Sequence, residues 1–239
     1  MAIPFCAMPN AIIAGTGSYA PEHVVPNQYF DRVGSNDAWI QERLGIKERR
    51  ISQGETTSEL ATKAAQRALE MAGMAASELD LIVLATATPD RPAPASACMV
   101  QEKLGATRAA GFDIAAVCSG ALFALTTGCQ FIASGLYRNV MVIGADTFSN
   151  IIDWDRRDSV FFGDGAGAIL LTATEEDRGF IGFDMNTRTA PAAMASPCPP
   201  AVPNAQPARR PSPKDSTICL LYTSPSPRDL STSRMPSSA

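Results

Sequence analysis

Short, unbroken apolar runs alternate along this chain with longer stretches whose apolar residues recur every three to four positions. Ala11-Ile12-Ile13-Ala14-Gly15 reads as a first strand, and Leu81 to Ala85 is apolar throughout, as a strand buried on both faces should be. Phe112 to Val117, Val140 to Ala145 and Gly167 to Thr172 read as further strands, the first of these buried. Helical stretches lie between them. Asp37 to Leu44 stops at Gly45. Thr56-Thr57-Ser58-Glu59 fits a capping box with Thr56 as N-cap, and the helix behind it repeats apolar residues at Leu60, Ala64, Ala68 and Met71 before a stop at Gly73. A loop with Pro89, Pro92 and Pro94 leads into a helix over Ser96 to Leu104. Gly120 to Ser134 is a nearly all-apolar helix, and a stripe of Leu122, Leu125, Cys129 and Ile132 assigns Cys129 to the core. The predicted class is α/β, a mostly parallel sheet covered by helices on both faces, because the connections are long enough for helical crossovers.

The periodicity stops near Thr187. Of 18 prolines, 11 lie in residues 188–239, among many Ser, Ala and Arg. Such a segment buries too little apolar area to offset its ordering entropy. Two parts are therefore expected: a folded domain over residues 1–186 and a disordered tail over 187–239. The abrupt change is also what a shifted reading frame or joined vector sequence would give. Net charge is −4, spread as −8 over residues 1–187 and +4 over the remainder. An acidic body argues against nucleic acid as the main partner. The six cysteines (Cys6, Cys98, Cys118, Cys129, Cys198, Cys219) show no metal-ligand spacing, so no metal is expected. No charged, apolar-cored leader opens the chain and no apolar run is long enough for a bilayer, which reads as a reduced, cytoplasmic protein without a membrane partner.

Candidate chemistry centres on Cys118, placed where the Phe112–Val117 strand hands over to the helix at Gly120. Unpaired N–H groups and the positive end of a helix dipole favour a thiolate there, and nearby N–H groups could stabilise an oxyanion. On the turn alone, a nucleophile and a small buried hydrophobe stand level. Gly15-Thr16-Gly17 lacks the third glycine of a dinucleotide motif and reads as a strand-ending turn. Lys47-Glu48-Arg49-Arg50 reads as a solvated face, and Gly163 to Gly167 as a tight turn between strands.

Four stretches then occur in order: Gly15-Thr16-Gly17-Ser18-Tyr19, Trp39-Ile40 with Arg43-Leu44-Gly45-Ile46, Ala116-Val117-Cys118-Ser119-Gly120, and Phe162-Gly163-Asp164-Gly165-Ala166-Gly167-Ala168. Together they resemble the N-terminal half of a β-ketoacyl-acyl-carrier-protein synthase III, a thiolase-like condensing enzyme, over about residues 10–186. The resemblance implies a thiolase-like fold, present as its first βαβαβ half with the second absent. It implies transfer of an acyl group from acyl-coenzyme A to Cys118. Condensation with malonyl-acyl-carrier protein and loss of carbon dioxide would follow, starting fatty-acid synthesis. Trp39 would stack on the adenine of coenzyme A, Arg43 and Arg156 would be its cationic contacts, and Phe162 a pocket residue. Ala93, in Pro92-Ala93-Pro94, matches the segment that reaches across a homodimer to close the neighbour's acyl pocket. A methyl there, where the family often has Phe, implies room for primers longer than acetyl. No cofactor is implied beyond the coenzyme A thioester as substrate.

The family also draws a catalytic His and Asn from its second half. The only histidine here, His23, matches neither. Acylation of Cys118 is therefore expected and full condensation is not. A condensing enzyme of secondary metabolism or of hydroxymethylglutaryl synthesis is the alternative within the class, although the spacing from Asp155-Arg156 to Phe162-Gly163-Asp164 favours the fatty-acid branch. A non-catalytic dimerisation module is the alternative outside it.

Overall fold

The computed structural model describes residues 10–176, 178–183 and 185. The tail expected over 187–239 lies outside the described residues. Eleven strands and helices organise the described part: β1 (Asn10–Tyr19), β2 (His23–Pro26), α1 (Asp37–Leu44), β3 (Glu48–Ile51), α2 (Thr57–Ala72), β4 (Leu81–Ala85), α3 (Ser96–Leu104), β5 (Ala110–Ile114), α4 (Gly120–Ala133), β6 (Asn139–Thr147) and β7 (Asp164–Thr174). Five of these strands form one sheet in the order β1-β7-β6-β4-β5. β4 runs parallel to β5 and β6, and β7 runs antiparallel to both β6 and β1, so four of the five strands point the same way. The fold is thus the expected α/β class, with β7 as the reversed strand.

Helices cover both faces. Ala61, Ala64 and Ala68 of α2 and Ala97 and Val100 of α3 pack on Ile82, Leu84, Met141, Ile143 and Leu170. On the other face Ala124, Cys129 and Ile132 of α4 pack on Leu81, Val83, Val140, Val142 and Leu171. β4 is buried along its whole length, as its continuous apolar run requires. A smaller cluster around Phe30, Ile40 and Val160 joins α1 and the β2–β3 ribbon to the segment before β7.

Local signals fixed several element ends. Thr56 and Glu59 form the reciprocal capping box, and Gly73 closes α2 in the left-handed conformation. Gly45 closes α1 and Gly105 closes α3 in the same way. Other expectations are corrected. Leu122 is 66 % exposed. Leu125, Cys129 and Ile132 of the expected stripe do join the core, beside the small residues Gly120, Ala124 and Gly128, with Gly128 against Val140, Val142 and Leu171. An apolar-all-round helix does not declare its inner face by hydrophobicity, and close approach selects the small residues. Met71 is also exposed, and its sulfur accepts from the Thr16 N–H. β5 is half-buried rather than buried, because it is the sheet edge.

Gly15 and Gly17 are not a turn. They lie within β1, and a Cβ on either would run into the backbone of α2 at Ala68 or Ala64. The glycines let helix and strand touch. Gly165 and Gly167 likewise lie inside β7, opposite Asp146 and Gly144 of β6. Arg49 overturns the solvated-face reading of its cluster. It is 5 % exposed, donates to Val160 O and to Asn27 Oδ1 (2.6 Å), and lies 4.3 Å over the Phe30 ring. Burial lowers its guanidinium pKa from the ordinary value.

Candidate active site

The C-terminal ends of β4, β5 and β6 meet the start of α4, the edge at which parallel α/β sheets collect ligands. Cys118 occupies the short 3-10 turn Val117–Ser119 between β5 and α4 and is exposed. Val117 before it has φ +46°, a left-handed conformation that a β-branched residue adopts at a cost of about 1–3 kcal/mol. The turn is tightened by Ser119, whose N–H and Oγ both donate to Ala116 O, at 3.2 and 2.9 Å.

The helix starts differ in a way that bears on the thiol. Asn36 caps α1, and Thr56 caps α2. The Asp113 carboxylate takes the N–H groups of Ser96 and Ala97 at the start of α3, at 2.7 and 2.8 Å. No side chain caps α4 among the described residues. The Gly120 N–H that opens it donates to Val117 O, within the Cys118 turn, and the positive end of the helix dipole lies at that turn. Cys129, eleven residues on, is core as expected, and burial pushes its thiol up to about 11.

Around this turn the neighbouring strand ends are hydrogen-bonded together. Thr86 N–H donates to Ile114 O (3.1 Å), joining β4 to β5 just before the turn. Asp146 Oδ1, at the end of β6, accepts from Thr86 Oγ1, Ala87 N–H and Thr88 Oγ1 at 3.1, 2.8 and 3.1 Å. Burial pushes the Asp146 carboxyl above its ordinary value, against the lowering effect of these donors. Phe162 precedes β7 and stacks on Phe148, which follows β6, with ring centroids 5.0 Å apart. Asp164 is nearly buried and gathers separate loops: Oδ2 accepts from Ser52 N–H (2.7 Å) and Ser149 Oγ (2.6 Å), and Oδ1 from Ser149 N–H (2.9 Å).

Trp39 and Arg43 lie one turn apart on α1, hence on neighbouring positions of one face. Arg157 lies 4.8 Å over the Trp39 ring. Arg156 instead makes a two-point ion pair with Asp158, at 3.1 and 2.8 Å. Arg43 is exposed, as is Ala93 in the loop before α3.

The description "3-Oxoacyl-[acyl-carrier-protein (ACP)] synthase III" belongs to the family model that matches residues 112–189, a stretch that holds β5, the Cys118 turn, α4, β6 and β7. A β-ketoacyl-[acyl-carrier-protein] synthase III of Desulfitobacterium hafniense (strain Y51) is 52 % identical over 176 residues, which are 72 % of this chain and 53 % of that protein. The Hyphomonas neptunium protein of the same name is 56 % identical over 171 residues, 70 % of this chain and 53 % of its own. The chain belongs to the β-ketoacyl-acyl-carrier-protein synthase III family. Its fold is thiolase-like. The crystal structure of the 3-oxoacyl-[acyl-carrier-protein] synthase III from Aquifex aeolicus VF5 superposes with a TM-score of 0.67 at 46 % identity, covering 70 % of this chain and 55 % of that one. The priming β-ketosynthase of the R1128 polyketide pathway superposes with a TM-score of 0.69 at 34 % identity, covering 74 % and 53 %. The chain spans about half the length of the synthase III relatives it matches.

Within this synthase III domain, Cys118 and Phe162 lie at one end of the sheet, and Trp39 sits in the adjoining cluster with Val160. The cation over the Trp39 ring is Arg157, the residue next to Arg156. Sequence reading did not single out Phe148 or Asp146, and took Asp164 only as part of the Phe162–Ala168 stretch; their contacts come from residues distant in the chain. His23 is exposed on β2 and lines a cleft of about 280 Å³ with Tyr19, Glu55 and Lys63.

Proposed function

We propose that this chain carries the acyl-accepting part of a synthase III reaction, with Cys118 as nucleophile. The observation that carries the reading is an exposed cysteine on a strained turn, at a helix start that no side chain caps among the described residues. The Cys118 thiolate attacks the carbonyl carbon of an acyl-coenzyme A. The carbonyl becomes an oxyanion, the bond to the coenzyme sulfur breaks, and coenzyme A leaves as a thiolate that takes up a proton. The acyl group remains on Cys118 as a thioester. The positive end of the α4 dipole would favour the thiolate, and backbone N–H groups of the turn would favour the oxyanion.

Trp39 offers an aromatic face for adenine, and Arg43 and Arg157 cations for the phosphates of the coenzyme. Arg156 would have to exchange Asp158 for the ligand to act in the same way. Phe148 and Phe162 form an apolar wall for the acyl chain. Ala93 is the partner-facing plug of a homodimer, and its methyl leaves room for longer primers. Each further buried methylene gains about 0.8 kcal/mol. Coenzyme A thioester is the substrate, malonyl-acyl-carrier protein the second substrate, and no other cofactor takes part. Condensation needs a His and an Asn from outside this chain, so the chain alone stops at the acyl-enzyme. No helix among the described residues is long and apolar enough to cross a membrane.

The test is mass spectrometry of the chain after incubation with butyryl-coenzyme A. An acyl adduct on the Cys118 peptide, absent in Cys118→Ser, is expected. No adduct, or an equal one on Cys98, would overturn the reading. The likeness to a polyketide priming ketosynthase supports a second reading, in which the same acyl-cysteine primes a polyketide carrier. Preference between carrier proteins in a chain completed with its second half separates the two.

A further inference from the structure

Arg49 is a buried cation whose hydrogen bonds reach both sides of the cleft assigned to the coenzyme. Among the described residues its acceptors are neutral. Nε (2.9 Å) and Nη2 both donate to Val160 O, and Nη1 donates to Asn27 Oδ1 (2.6 Å). The guanidinium also lies 4.3 Å over the Phe30 ring. Taking a guanidinium out of water without a carboxylate beside it is costly, and an apolar side chain of similar volume would fill the space at lower cost. Stability is therefore a poor account of this residue. Geometry is a better one.

One arm of the fork holds the segment before β7. Val160 belongs to the short 3-10 segment Arg157–Phe161, which is tightened by Ser159, whose N–H and Oγ donate to Arg156 O at 3.2 and 2.7 Å. Arg157 lies three residues before Val160, one turn of such a helix. Fixing the Val160 carbonyl thus fixes the base from which Arg157 reaches over the Trp39 ring. The segment then runs on past Arg49, since a Cβ on Gly163 would lie 3.3 Å from Arg49 Cβ. The other arm holds α1. Asn27 is fully buried, accepts from Arg49 on Oδ1, and donates from Nδ2 to Asp37 Oδ1 and Ile46 O, both at 2.7 Å. Asp37 opens the helix that carries Trp39 and Arg43, and Ile46 follows the Gly45 stop of that helix. Arg49 and Asn27 together tie both ends of α1 to the Arg157–Phe161 segment.

We propose that Arg49 is a positioning residue for coenzyme A, holding Trp39 of α1 and Arg157 of the segment before β7 at the spacing that the nucleotide end of the coenzyme needs. The inference rests on the coenzyme site proposed above. Arg49 acts through its neighbours, because its donors are engaged with Val160 and Asn27 inside the protein. Charge alone does not suffice for this role. A lysine ammonium is a point charge on a flexible stem and does not reproduce the planar fork that holds two acceptors at once.

The test compares two thioesters on the full chain, read as acylation of Cys118 by mass spectrometry: butyryl-coenzyme A, and butyryl-pantetheine, which lacks the nucleotide. In Arg49→Lys the half-saturating concentration of butyryl-coenzyme A is expected to rise about tenfold at an unchanged maximal rate, while the rate with butyryl-pantetheine stays that of the parent. Asn27→Ser cuts the tie at its middle, should give the same split, and serves if Arg49→Lys does not fold. An unmoved half-saturating concentration overturns the proposal. So does an equal loss on both thioesters, which marks a merely structural role. Calorimetric titration with coenzyme A itself separates the proposal from the reading beneath it. A parent that binds coenzyme A without acylating Cys118 defeats the acyl-acceptor reading alone, and weaker binding in Arg49→Lys then still supports the role of Arg49, whereas equal binding overturns it. A parent that binds no coenzyme A defeats both.

Discussion

Gly17→Ala tests the contact between β1 and α2 directly. A Cβ at this position would lie 2.6 Å from Ala68 N and 2.9 Å from Arg67 Cβ, and closer still to Ala64 O. The obstacles are mostly backbone, so no side-chain rotation relieves them, and α2 must retreat by about 1 Å in an interior packed as densely as a crystal. That helix brings Leu60, Ala61, Ala64, Ala65, Ala68 and Leu69 into the core. Overpacking typically costs about 1–3 kcal/mol, and a backbone obstacle places this case at the upper end. The lower entropy of an unfolded chain with Ala in place of Gly returns about 0.4–1 kcal/mol. The net expectation is a loss of about 2 kcal/mol, a large share of the roughly 5–15 kcal/mol that holds a domain together. Urea unfolding followed by circular dichroism reads it as a lower midpoint at unchanged slope. Gly167→Ala is the control, because nothing lies within 4 Å of its Cβ. A Gly17→Ala midpoint equal to or above that of Gly167→Ala would refute the reasoning.

Cys118 is expected to alkylate fastest of Cys98, Cys118 and Cys129, and Cys129 slowest because burial holds its thiol at about 11; preferential labelling of Cys129 would count against the site. Asp164→Ala strips the acceptor from Ser52 and Ser149 and should destabilise the chain by about 3 kcal/mol, checked by the same urea titration; a loss below about 1 kcal/mol would show that the loops hold without it. The Thr56 N–H in the capping box holds the Glu59 carboxylate below its ordinary pKa. Its stabilisation is present above the unfolded value of about 4.3 and is lost as pH falls through the lower folded value, so Glu59→Gln should flatten the acid limb of a stability–pH curve; an identical limb contradicts this.

What could be read from sequence was local. The bounds of α1 and α3 and the caps of α2 follow from residues within four positions of each other. The position of Cys118 between a strand and a helix was legible because an apolar strand, a small-residue turn and an apolar helix are contiguous. The rest depended on partners far along the chain. Arg49 looks solvated beside Lys47, Glu48 and Arg50. It is buried by Val160, 111 residues on, and Asn27, 22 residues back. The stripe on α4 held for Leu125, Cys129 and Ile132 and failed at Leu122, where the close approach of Gly120, Ala124 and Gly128 to the sheet sets the inner face. The glycines of β1 looked like a turn because sequence does not show that a helix lies across them. The Arg157–Trp39 contact and the Phe148–Phe162 stack share the same difficulty, since both pairs are assembled by tertiary contacts.

The left-handed Val117 sets a limit on how far this domain can be hardened. Glycine at 117 would relax the left-handed backbone, and even after its entropic cost of about 0.5–1 kcal/mol a consensus-style search for stabilising substitutions would favour it. The same replacement lets the residue before Cys118 wander among conformations that valine in its held turn does not visit. Selection for thermal tolerance and selection for a sharply aimed sulfur therefore pull this one position in opposite directions. Val117→Gly should melt higher than its parent and alkylate more slowly at Cys118.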